Sequence, residues 1–104
     1  MKKQTKLINV GRDPDANFGI VNPPVYHAST VLFPTVAALD KATKNRYDGV
    51  YYGLNGTPTT FSLQEAVAEL EGYTQAIAVP SGLAAIVAAL LAFLDQDDHL
   101  LMVD

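Results

Sequence analysis

The chain has 104 residues, 49% of them hydrophobic and only 17% charged, with a net charge of −4 and no cysteine. That length allows one domain at most, and the composition is globular rather than disordered. It excludes disulfides and thiolate metal sites and leaves redox compartment open. All seven basic residues lie in the first 46 positions, and from Tyr47 onward there are eight acids and no Lys or Arg. No cationic surface able to neutralise a nucleic-acid backbone is encoded there, and Lys2, Lys3 and Lys6 read as a solvated terminus.

The first 33 residues carry weak periodicity and the breakers Gly11, Pro14, Gly19 and Pro23-Pro24, which predict an extended arm. Met1-Lys2-Lys3 is followed by polar residues instead of an apolar run, so no secretory leader is read and the expectation is a cytoplasmic protein. Thr35 is a candidate N-cap for a helix running to about Asn45. Val36, Leu39 and Ala42 recur at helical spacing, and Lys41, Lys44 and Arg46 stand near its C-terminal end. Asp48 to Thr60 reads as a polar, glycine-containing loop. Ser62-x-x-Glu65 has capping-box form, and Leu63, Ala66, Val67 and Leu70 give the helical repeat that Gly72 should stop.

Gln75 to Val79 then reads as a strand, Pro80-Ser81-Gly82 as a tight turn, and Leu83 to Leu94 as a helix apolar on nearly every face. Asp95 to Asp98 reads as a turn and His99 to Val103 as a second strand. This order predicts a βαβ unit, hence an α/β fold with a mostly parallel sheet. Two strands do not make a stable sheet, so the chain reads as a piece of a longer one. The apolar surplus agrees, pointing to surface that belongs against further sequence or a partner. The twelve-residue apolar run is too short to span a bilayer, which needs about 20 residues.

Two local features carry candidate chemistry. At Ser81-Gly82-Leu83 a strand gives way to a helix, whose first N–H groups lack internal partners and carry partial positive charge. Gly82 would let a phosphate monoester approach them, with Ser81 as N-cap or hydroxyl donor. Such turns are more often plain connections. The loop Tyr52-Gly53-Leu54-Asn55-Gly56-Thr57 sets an aromatic hydroxyl between glycines, although an ordinary surface tyrosine has the same look. His27, His99 and Asp97-Asp98 show no metal-ligand spacing and read as surface residues.

Taken together, the motifs resemble a family. Tyr52-Gly-x-x-Gly-Thr-x-Thr, Phe61-Ser-Leu-Gln-Glu-Ala, Glu69-Leu-Glu-Gly and Pro80-Ser-Gly-Leu-Ala-Ala, in that order, are similar to the pyridoxal-phosphate enzymes of cysteine and methionine metabolism. The stretch Pro23-Pro-Val-Tyr-His-Ala-Ser-Thr-Val-Leu-Phe resembles that family's arm. The likeness is greatest to members that cleave cystathionine by β-elimination to homocysteine, pyruvate and ammonia. Members acting by γ-elimination or γ-replacement are the alternative. A non-catalytic segment serving oligomerisation is the alternative of another class.

The resemblance implies pyridoxal 5'-phosphate as cofactor, a small sulfur amino acid as substrate, and a homotetramer built as a dimer of dimers with shared active sites. It implies the aspartate-aminotransferase-like fold, with residues 1–60 as arm, short helix and Tyr-Gly loop reaching a neighbouring subunit. Residues 61–104 then open the cofactor-binding α/β domain. Tyr52 matches a tyrosine that reaches the neighbour's cofactor phosphate, and Gly82 and Leu83 match the pair whose amides hold the phosphate of their own subunit. Where the family commonly has an arginine, this chain has Leu54, a loss worth about 1.5–3 kcal/mol of phosphate binding unless replaced. Leu54 remains a loop position near the phosphate. The family's Schiff-base lysine lies beyond Asp104, so no catalytic residue is assigned within the chain.

Overall fold

A computed structural model describes residues 3–103. In chain order it contains α1 (Lys3–Asn9), α2 (Val36–Lys44), α3 (Pro58–Glu71) and α4 (Gly82–Phe93). Among the described residues there is no strand, which overturns the expected α/β fold with a parallel sheet. The cause is pairing. A strand exists only through a hydrogen-bonded neighbour, and the two apolar runs flanking α4 do not bond to each other. The Ala78 amide instead donates to the Gln64 side-chain carbonyl at 2.9 Å, and Leu101 and Val103 stand almost wholly in solvent.

Two helices follow local signals closely. Thr35 caps α2, its hydroxyl accepting from the Ala38 amide at 3.1 Å, and Lys41 and Lys44 occupy the last turn. Gly72 ends α3 in the left-handed conformation, φ 78°, and the Tyr73 amide reaches back to Ala68 O at 2.9 Å.

The start of α3 differs from expectation. It begins at Pro58, four residues before the capping-box serine, because Pro58 fits the first helical position and Thr57 is buried as the cap residue. Ser62 therefore lies inside the helix, where its hydroxyl donates to Gly11 O at 2.6 Å. Gly11 sits at φ 71°, and a Cβ there would come within 2.6 Å of Ser62 O, so the chain after α1 passes close over α3 only because residue 11 is glycine.

Helix α1 was not legible in the sequence, which predicts an extended arm there. Its seven residues have no acid in the first turn and include only the adjacent Leu7 and Ile8 as apolar side chains. Packing supplies what propensity does not: Leu7 and Val10 are half-buried, and the Lys6 ammonium meets the Glu69 carboxylate of α3 at 2.8 Å. The hydrogen bond to Glu69, and then its charge, raise the Lys6 pKa above the ordinary 10.5. The stabilisation is thus complete below pH 10.5 and is lost as pH climbs through the higher folded value. Nitrogen NMR of the Lys6 ammonium should show the raised titration, and Glu69→Gln should return it to normal. An unchanged curve in that variant would remove the link between α1 and α3.

The chain does not close a core. Ala68 is the one buried apolar residue among those described, and the radius of gyration is 17.4 Å, against about 13 Å for a compact chain of this length. Helix α4 exposes Leu83, Ile86, Leu91 and Phe93, so the apolar surplus of the sequence emerges as uncovered helix. No described helix is long and apolar enough to cross a membrane.

Candidate functional site

The N-terminus of α4 is built by Ser81. Its extended backbone, φ −159° and ψ 160°, turns the chain into the helix, and its hydroxyl accepts from the Ala84 amide at 3.1 Å. The Ala85 amide goes to Ser81 O at 3.0 Å. Of the four amides that a helix start leaves without intrahelical partners in its first turn, those of Gly82 and Leu83 have no acceptor among the described residues. A Cβ built on Gly82 would meet nothing within 4 Å. Two unpaired amides at the positive end of a twelve-residue helix, reached through open space, fit the phosphate end of a cofactor. Because Ser81 Oγ already accepts from Ala84, its hydroxyl proton is the part left to bond an anion.

The Tyr52 loop is fixed by its glycines. The Gly53 amide donates to Ser29 O at 2.7 Å, and the Asn55 amide closes a turn onto Tyr52 O at 2.9 Å. A Cβ at Gly53 would collide with the Ala28 carbonyl, and one at Gly56 with the Phe61 ring. Both glycines are therefore sites of close approach. Tyr52 itself is partly exposed, and the neighbouring Tyr51 ring lies 6.2 Å from Phe33 at the head of α2.

The structure does not gather the sequence-derived site residues into one cavity. An open cleft of about 690 Å³ lies between the Tyr52 loop, α3 and the run after Gly72, lined by Leu54, Phe61, Gln64, Tyr73 and Ile77 among others. Leu54 borders it, whereas Tyr52, Ser81, Gly82 and Leu83 do not. The side chain of Leu54 is exposed and supplies no charge. Among the described residues no group of His, Asp and Glu is placed to hold a metal ion.

Thr59 was missed by sequence reasoning. Its hydroxyl accepts from the Tyr26 amide at 2.8 Å and donates to Pro24 O at 2.7 Å, tying the arm to the first turn of α3. It has a place in the sequence, as the last position of the Tyr52-Gly-x-x-Gly-Thr-x-Thr motif, but no role there, since its partners lie 33 and 35 residues away.

The family of this architecture is given by comparison with known proteins. Residues 4–104 match the family described as Cys/Met metabolism PLP-dependent enzyme, and the chain belongs to that family. The family is dependent on pyridoxal phosphate. The chain is 49% identical over 100 residues to a putative cystathionine beta-lyase of Rhizobium johnstonii, covering 96% of this chain and 24% of that protein. It is 44% identical to cystathionine beta-lyase MetC of Escherichia coli, over 97% of this chain and 26% of the relative. An L-alanine/L-glutamate racemase of Wolbachia pipientis is 40% identical over all of this chain and 28% of its own length. The chain thus spans about a quarter of the curated relatives it matches.

Proposed function

We propose that this chain is the amino-terminal part of a carbon–sulfur lyase that cleaves cystathionine by β-elimination, releasing homocysteine, pyruvate and ammonia. What supports the reading most is the 44–49% identity to proteins named for that activity across nearly all of the chain. In this reading residues 1–60 form the arm and loop that reach a neighbouring subunit of a cytoplasmic homotetramer. Residues 61–104 open the cofactor-binding domain.

The part this segment plays is to hold the cofactor by its phosphate. The Gly82 and Leu83 amides and the Ser81 hydroxyl bind the phosphate of their own subunit. Tyr52 reaches the phosphate of the neighbour. When bound, pyridoxal phosphate withdraws electrons from the substrate α-carbon, so that its proton can leave and the β carbon–sulfur bond can break. No residue of this segment moves that proton. Leu54 stands where the family resemblance implies a guanidinium, so the amides of α4 carry a larger share of the affinity.

The test is product analysis with a polypeptide of full family length carrying this segment. With cystathionine and pyridoxal phosphate, pyruvate is the expected keto acid. Release of 2-oxobutyrate would assign γ-elimination instead. Racemisation of alanine without either keto acid would sink the lyase reading, and failure to bind the cofactor would leave an interaction segment.

A further inference from the structure

We infer that Thr59 is a positioning residue for the Tyr52 loop, acting through arm residues 24–29 to set where the Tyr52 phenol stands. The inference rests on the proposed phosphate contact of Tyr52.

The arm is held at two points by two different elements. At one end the Thr59 hydroxyl, on the first turn of α3, takes the Tyr26 amide at 2.8 Å and gives its proton to Pro24 O at 2.7 Å. A hydroxyl has one proton, so donation to Pro24 fixes the direction of its lone pairs, and these meet the Tyr26 amide. At the other end Ser29 O receives the Gly53 amide at 2.7 Å, one residue after Tyr52. Between these points the Ala28 carbonyl presses so close on Gly53 that no Cβ fits. The loop then returns to α3 through Gly56, packed on Phe61, and the buried Thr57.

Arm, loop and first helical turn therefore make a closed frame with Tyr52 on its rim. Within this frame the loop is tied to Ser29 and residues 24–26 are tied to α3 at Thr59, while Gly11 and Lys6 meet α3 elsewhere, at Ser62 and Glu69. Removing the hydroxyl frees residues 24–26 from the helix while leaving the phenol chemically intact. Tyr52 then samples more positions, and a ligand that needs it in one of them binds more weakly.

The experiment uses a polypeptide of full family length and reads pyridoxal-phosphate affinity and, separately, kcat at saturating cofactor. Thr59→Val, which keeps shape and removes both bonds, should weaken cofactor affinity about tenfold. Its kcat at saturation should stay within about twofold. Thr59→Ser keeps both bonds and should bind as the parent does. In a double-mutant cycle, Thr59→Val should add little once Tyr52→Phe is present, because the two act through one contact. If Thr59→Val does not fold, Thr59→Cys is read in its place, with its weak S–H bonds, and should still bind more weakly than Thr59→Ser. Unchanged affinity in Tyr52→Phe would overturn the phosphate role of Tyr52 itself. Weakened binding in Tyr52→Phe with parental binding in Thr59→Val, or full additivity of the two, would overturn the positioning role alone.

Discussion

Gly82→Asp should lower pyridoxal-phosphate affinity about 100-fold while leaving stability unchanged. The two halves of that result have separate causes. The new carboxylate would stand at the two unpaired amides of α4, compete for them and repel a phosphate dianion at close range. A loss of about 2.7 kcal/mol corresponds to that factor. Folding should not suffer, because a Cβ at residue 82 meets no atom within 4 Å and the residue is already helical. An acid in the first turn of a helix is also favourable, and α4 has none. Gly82→Ala should fall between, adding bulk without charge. Equilibrium titration of the apo-protein with cofactor reads the first half and thermal unfolding the second. Parental cofactor affinity in Gly82→Asp would mean that the phosphate is seated elsewhere.

Gly53→Val should do the opposite, damaging structure first. The Cβ collides with the Ala28 backbone, which has no rotamer by which to yield, and moving it breaks the bond from the Gly53 amide to Ser29 O. Overpacking and a lost hydrogen bond together should destabilise the loop by about 2–4 kcal/mol. Hydrogen exchange at the residue 53 and Tyr26 amides should then accelerate by at least about 30-fold. Cofactor binding should weaken with it, because Tyr52 is the adjacent residue. Even Gly53→Ala carries the offending carbon and should show the same sign. Parental exchange rates in Gly53→Val would show that the arm and loop do not approach as described.

What could be read from the sequence was what neighbours along the chain decide. Thr35, Gly72 and Ser81 act within three or four residues, and the structure places each as the cap it was expected to be. The turn after α4 is equally local, with the Asp95 amide held by the Asp98 carboxylate at 2.7 Å. What failed was whatever depends on distant partners. The runs 75–79 and 99–103 have strand-like composition, but pairing is a property of two segments, and these do not find each other. Ser62 reads as a helix start until Gly11, 51 residues away, claims its hydroxyl. Helix α1 has no local signal because α3 stabilises it. At the candidate site the distinction is the same. Gly82 is visible from its position before an apolar helix, whereas Gly53 and Thr59 gain meaning only when the arm lies across them.

The bareness of α4 has a consequence for how the protein is made. In a polypeptide of full family length, as proposed above, a ribosome moving at about 5–20 residues per second delivers this greasy cylinder well before the rest of the chain has followed it. For tens of seconds each nascent chain offers neighbouring polysomes an adhesive rod without a single charged side chain. Holdase chaperones that favour aliphatic segments should therefore engage the polypeptide at Leu83 to Leu94 during translation, and charged substitutions there should release them.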